Sequence, residues 1–154
     1  LPLAASAIRH DEPGLFERLS LGRAGTGSVD VLVGIDGSAE AEHALRRAVG
    51  LLRWRIGRLT LATVLDYDVS AGSFLAEDPQ KAQRDLVRTA KATSPQPETV
   101  VLSGRPAEAL RKYAVEEAYD VIVVGRRGHG ANHVLLGSVA SELARGDEVP
   151  VLIV

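Results

Sequence analysis

Short runs of apolar, mostly β-branched residues alternate along this chain with segments in which apolar residues recur every third or fourth position. The runs predict buried strands, and the periodic segments predict amphipathic helices. The predicted strands cover residues 29–35, 59–65, 99–102, 121–124 and 149–154. Strands joined through helices lie parallel, and nearly continuous Val, Ile and Leu strands need cover on both sides. We therefore predict an α/β fold, an open five-stranded parallel sheet with helices on both faces.

Four helix starts carry recognisable signals. Ser38 is a predicted N-cap, followed by Glu40 and Glu42 in the first turn, where the helix dipole favours negative charge. The second helix begins with the Asp78-Pro79 pair, and the third begins near Pro106. The last helix is predicted over residues 138–145, with Ser138 as its cap and Gly146 as its stop signal.

Residues 1–28 show no clear period, and we interpret them as an N-terminal extension or linker before a domain over 29–154. The glycine cluster between Gly22 and Gly27 precedes the first strand, whereas a nucleotide-binding loop follows its strand. A simple loop is the better interpretation there. The chain has no methionine, which suggests a product trimmed from a longer precursor.

Length and composition exclude several classes of protein. The 154 residues, 45% hydrophobic and 25% charged, are typical of one folded domain. A net charge of −2 and few aromatic residues argue against a nucleic-acid surface. No apolar run is long enough for a bilayer, so we expect no membrane contact by this domain. The absence of cysteine excludes disulfides and thiolate zinc sites and is compatible with the cytoplasm, where we expect the protein.

Two glycine-containing segments follow predicted strands, at the edge of a parallel sheet where ligands bind. One is Asp36-Gly37-Ser38, and the other runs from Gly125 to Gly130 and continues to Gly137-Ser138. Glycines allow backbone N–H groups to approach an anion, so the segments are typical of a phosphate site. They would also serve merely to turn the chain, and both interpretations stay open. Arg126 and Arg127 are likewise either phosphate ligands or solvated loop arginines.

Other chemistries find less support. His129 and His133 have metal-ligand spacing, but the segment contains glycine and no third ligand is evident. The chain has neither a nucleophile elbow nor a lysine-containing phosphate loop, so we assign no catalytic residue. Asp36 is the obvious carboxylate for a metal ion at this edge, through Mg²⁺.

Segments 31–38, 120–128 and 135–139 together resemble the universal stress protein (UspA-like) family, over residues 29–154. The resemblance implies an adenine nucleotide alpha hydrolase-like sheet in the order 3-2-1-4-5, ATP binding with or without Mg²⁺, and a homodimer formed through residues 149–154. It also implies roles for individual residues. Asp36 and Val64 would lie near adenine and ribose, Gly125, Gly128, Gly137 and Ser138 would contact ribose and phosphates, and Val139 and Ala140 would offer backbone N–H groups. Together with Arg127, these residues form the candidate set.

The sequence departs from the ATP-binding pattern of this family at one point. That pattern is Gly, two residues, Gly, nine residues, then Gly-Ser or Gly-Thr, but only eight residues separate Gly128 from Gly137. One missing residue would displace part of the site by up to about 3.5 Å. One hypothesis is that a modified methionine is missing from the sequence beside Ala131 or Asn132.

Three functions remain under consideration. The main interpretation is an ATP-binding stress-response or regulatory domain with little or no catalysis. The second is a nucleotide-independent, dimeric interaction or regulatory domain, cut from a larger protein such as a transporter. The third is a slow ATP hydrolase or nucleotidyl-transfer enzyme that uses Asp36 with magnesium.

Overall fold

Five parallel strands form one sheet in the order β3-β2-β1-β4-β5, which confirms the predicted fold class and strand order. The computed structural model describes residues 27–66, 78–128 and 136–154. The strands are β1 (Val29–Gly34), β2 (Ile56–Leu65), β3 (Glu98–Ser103), β4 (Val121–Val124) and β5 (Val151–Ile153). The helices between them are α1 (Ala39–Leu52), α2 (Pro79–Lys91), α3 (Pro106–Glu116) and α4 (Ser138–Leu143).

Helices cover both faces of the sheet, as predicted, because alternate strand residues point to opposite sides. On one face, Val31 and Val33 pack with Leu45 of α1 and Leu86 of α2. On the other face, core residues of β1 and β4 pack with α3 and α4, namely Leu32, Ile122, Leu110, Ala114 and Leu143. The central strands β1 and β4 therefore hold the carboxyl edge of the sheet between two packed layers.

Only the predicted strand bounds 121–124 are exact; β1 differs by one residue at one end and β3 by one residue at each end, and the larger differences are at β2 and β5. β2 begins at Ile56, three residues early, because its first residues pair with the start of β1, where the register shifts between Val29 and Asp30. β5 is shorter than the predicted 149–154. Pro150 has no N–H to donate to the ladder, and only its carbonyl bonds to β4, accepting from the N–H of Ile122 at 2.9 Å.

Two predicted helix caps are confirmed and one is wrong. The Ser38 hydroxyl accepts from the N–H of Ala41 at 3.2 Å, and the Asp78 carboxylate accepts from the N–H of Gln80 at 3.0 Å. At α4 the N-cap is Gly137, and Ser138 is already the first helical residue. The helix also ends at Leu143, two residues before the predicted 145.

Two polar side chains, those of Thr60 in β2 and of Tyr119 just before β4, form a buried hydrogen bond. The hydroxyl of Tyr119 donates to Oγ1 of Thr60 at 2.7 Å, and both residues are buried. Burial raises the pKa of Tyr119 above its usual 10.0.

Of the helices in the described ranges, none has the length and apolar character needed to cross a membrane.

Some predictions fall outside the described residues. These concern the glycine cluster from position 22 to 26, the histidine pair His129 and His133, and the hypothesis of a methionine beside Ala131 or Asn132. The shortened spacing between Gly128 and Gly137 also lies almost wholly in residues 129–135.

Candidate functional site

A cavity of about 350 Å³ opens at the carboxyl edge of the sheet, where β1, β2 and β4 end. The structure brings the whole candidate set to its lining: Asp36, Val64, Gly125, Arg127, Gly128, Gly137, Ser138, Val139 and Ala140. An equal number of residues that the sequence did not single out complete it: Gly34, Ile35, Ala41, Ala62, Thr63, Asp66, Pro106, Leu110 and Val124. Most of these additions are apolar strand or helix residues, which sequence patterns identify as core but not as cavity wall.

Asp36 is held to the first turn of α1. Its Oδ1 accepts from the backbone N–H of Ser38 at 2.9 Å and from the Ser38 hydroxyl at 2.5 Å. The same hydroxyl oxygen caps α1, so one serine links the helix start to the carboxylate. On the neighbouring strand, Thr63 donates its hydroxyl to the carbonyl of Ile35 at 2.7 Å. These bonds fix the direction in which β1 leaves the sheet.

The glycines after β4 permit close contacts with α1 and Asp36. A Cβ on Gly125 would lie 2.9 Å from the carbonyl carbon of Glu40, so the backbones of β4 and α1 touch there. A Cβ on Gly128 would overlap Oδ2 of Asp36. Any larger residue at position 128 therefore displaces the carboxylate that Ser38 holds.

Gly137 joins the second half of the motif to the first. Its N–H donates to the carbonyl of Arg126 at 2.8 Å, and a Cβ on it would lie 3.3 Å from the Cα of Arg127. Gly137 is buried, whereas Ser138 beside it is exposed. The start of α4 is thus packed against residues 126–128, which brings the two glycine segments to one side of the cavity.

The two loop arginines have different environments. Arg127 lines the cavity and pairs with Glu40 at 3.3 Å, while Arg126 is exposed. Sequence reasoning gave Glu40 only a role at the helix dipole and missed its contact with Arg127. The signal was weak because the two residues stand 87 positions apart.

The lining combines an apolar wall with a few polar groups. Ala62, Val64, Leu110 and Val124 offer a surface that would accept a flat ring, and Asp36 and the glycine segments stand beside it. Within the described ranges, no three His, Asp or Glu side chains are grouped so as to hold a metal ion. A carboxylate would suit hydroxyl groups of a ligand, and the N–H groups of the first turn of a helix, which lack partners within the helix, would suit phosphate groups.

Comparisons with known proteins agree with this architecture. The family model described as universal stress protein family matches residues 30–154. The Universal stress protein YxiE of Bacillus subtilis is 29% identical over 143 residues, covering 80% of this chain and 97% of its own length.

Two solved structures are also similar. The universal stress protein UspA from Lactobacillus plantarum superposes with a TM-score of 0.65 at 23% identity, over 82% of this chain and 97% of its own, and this shows the fold. A universal stress protein in complex with cAMP superposes with a TM-score of 0.57 at 30% identity, over 82% of this chain and 97% of its own. The family model, which matches most of the chain, identifies the chain as a member of the universal stress protein family.

Proposed function

We propose that the cavity binds an adenine nucleotide, with ATP as the ligand implied by the glycine motif. The domain, residues 29–154, would act as a nucleotide-dependent regulatory module of a stress response, with little or no catalysis. The observation that carries the proposal is the convergence of the candidate set on one cavity of about 350 Å³. A related structure, 30% identical, is a complex with cAMP, which supports an adenine nucleotide as the class of ligand.

Each part of the lining has a role in this proposal. The adenine ring would pack on Val64 and the apolar wall, and the Asp36 carboxylate would accept from ribose hydroxyls. The close contacts that Gly125, Gly128 and Gly137 permit would let the backbone around them approach the phosphates. If Mg²⁺ accompanies the nucleotide, Asp36 and the phosphates would hold it, because Mg²⁺ commonly takes one or two protein carboxylates. The ion would supply charge neutralisation there.

Native mass spectrometry of the full chain in ATP tests the proposal. We expect about one nucleotide per chain of 16.3 kDa. Gly137→Leu should lose the nucleotide, because its side chain would enter the contact with Arg127. Gly50→Leu is the matched control, since a Cβ there meets nothing within 4 Å. Circular dichroism should show that both variants fold.

Other outcomes would redirect the assignment. A protein that stays empty in millimolar ATP would contradict nucleotide binding and favour the nucleotide-independent interaction domain. Retained ATP in Gly137→Leu would show that the phosphate site is elsewhere. Steady release of ADP that disappears in Asp36→Ala would favour the slow hydrolase.

We also propose a homodimer formed through residues 149–154, as the family resemblance implies. β5 ends the described sheet, and residues 150 and 154, on either side of it, bond through their backbones to residues 122, 124 and 126 at β4. Alternate residues point the other way, so Val151 and Ile153 direct their backbone groups to the open edge. Ile153→Pro removes an N–H from that edge while leaving those bonds to β4. Light scattering should then give a monomer mass with retained circular dichroism, and a persistent dimer would refute this interface.

A further inference from the structure

The Arg127–Glu40 pair lies where the phosphates of the proposed ligand would approach. Arg127 Nη2 is 3.3 Å from Oε1 of Glu40, and their side chains are 33% and 38% exposed. Both backbones are fixed, since Gly125 packs on the carbonyl of Glu40 and Gly137 packs on the Cα of Arg127. The pair therefore follows from close backbone packing as well as from charge attraction.

The charges around the cavity are predominantly negative. Arg127 is the single lysine or arginine among the described lining residues, whereas Asp36 and Asp66 both contribute carboxylates. Among the described lining residues, a nucleotide that brings several phosphate charges would thus meet one cation, and that cation already has a carboxylate partner.

We infer that Glu40 is a specificity-determining residue, which holds Arg127 in an ion pair and so lowers the affinity of the cavity for highly charged polyphosphates. The inference rests on the proposed function. A ligand must compete with Glu40 for the guanidinium, and the remaining carboxylate then repels each added phosphate charge. The penalty grows with the charge of the phosphate chain and vanishes for an uncharged nucleoside.

Glu40→Gln tests this with little change of shape. Isothermal titration calorimetry on the full chain, in EDTA and low salt, would use ATP, AMP and adenosine as ligands. We expect affinity for ATP to rise about fivefold, affinity for AMP to rise about twofold, and affinity for adenosine to stay unchanged. Added salt should reduce the gain because it screens the exposed charges.

Glu42→Gln is the matched control. Glu42 lies in the same first turn of α1 and is worth a similar helix-dipole interaction, but it pairs with Arg46 at 3.9 Å. We expect its ATP affinity to equal that of the unmodified chain. An equal gain in Glu42→Gln would show a general effect of net charge and would overturn the inference.

A second background isolates Arg127. In Arg127→Gln the further change Glu40→Gln should give a clearly smaller graded gain, because only the repulsion by the carboxylate is removed and there is no guanidinium to release. A gain of the same size there, or an ATP affinity in Glu40→Gln that is unchanged or lower, overturns the role of Glu40. If the unmodified chain binds ATP while Glu40→Gln changes nothing, only this inference fails. If neither chain binds any of the three ligands, the proposed function fails with it.

Discussion

Replacing Gly125 by alanine should destabilise the fold through one contact between β4 and α1. The added Cβ would stand 2.9 Å from the carbonyl carbon of Glu40 and 3.0 Å from its oxygen, whereas ordinary contacts begin at 3.4 Å. The two backbones must therefore separate by about 0.5 Å. No flexible side-chain end is available to move, because the atoms nearest the added Cβ belong to the main chain of Glu40 and Ala41.

The cost can be estimated from these distances. Overpacking of this kind costs about 1–3 kcal/mol. Gly125 has no positive φ, so alanine is allowed there and recovers about 0.4–1 kcal/mol by restricting the unfolded chain. The net loss in free energy of unfolding should be about 1–2 kcal/mol, which lowers the urea midpoint by about 0.5–1 M at a typical slope.

Gly50→Ala makes the same chemical change, but it should raise the free energy of unfolding instead of lowering it. Gly50 lies within α1, and a Cβ there has open space around it. Alanine should stabilise the helix by about 0.5–1 kcal/mol and raise the urea midpoint. Urea unfolding followed by circular dichroism measures both variants. A Gly125→Ala midpoint equal to that of the unmodified chain would refute the claim that β4 and α1 touch through their backbones.

Two further predictions concern buried hydrogen bonds. Ser38→Ala removes the cap of α1 and both hydroxyl contacts, so urea unfolding should show a loss of about 1 kcal/mol in the free energy of unfolding. Calorimetry should also show weaker ATP binding, because Asp36 loses its hydrogen bond from the Ser38 hydroxyl. Unchanged stability would contradict the capping role. Tyr119→Phe leaves the buried Thr60 hydroxyl without its tyrosine partner and should cost about 1–2 kcal/mol in the same assay. Burial raises the pKa of Tyr119 above 10.0, so the folded chain holds this proton more tightly than the unfolded chain. The raised pKa contributes stability that is present below about pH 10 and is lost as the pH rises beyond it. At alkaline pH the free energy of unfolding should therefore fall less steeply with pH in Tyr119→Phe than in the unmodified chain.

The fold was predictable because its causes are local and periodic. Apolar runs such as Val121–Val124 identify buried strands, and Ser38 and Asp78 mark helix starts that the structure confirms. The errors came from tertiary pairing. The start of β2 depends on its pairing with β1, and β5 is short because Pro150 has no N–H to donate to the neighbouring strand.

The residues of the site also fall into those that the sequence predicts and those that depend on tertiary packing. A parallel sheet brings the ends of β1, β2 and β4 together, so topology alone groups Asp36, Val64 and the glycines after Val124. The position of Glu40 beside Arg127 follows from helix packing, which periodicity does not encode. The displaced cap at Ser138 has a similar cause, since Gly137 must be the residue that packs against Arg127.

The glycines by themselves do not separate the two leading functions. Gly125, Gly128 and Gly137 each make a close contact within the fold, so packing would favour glycine there with or without a nucleotide. A more informative residue is Ser138, which is exposed, lines the cavity and does not cap α4. Ser138→Ala should leave the urea midpoint unchanged within about 0.5 kcal/mol, because it removes no cap, yet lower ATP affinity several-fold if the hydroxyl donates to a phosphate. Ser38→Ala is its counterpart, with an expected loss of about 1 kcal/mol in stability. ATP affinity that is identical with and without the Ser138 hydroxyl would contradict the phosphate role assigned to this residue.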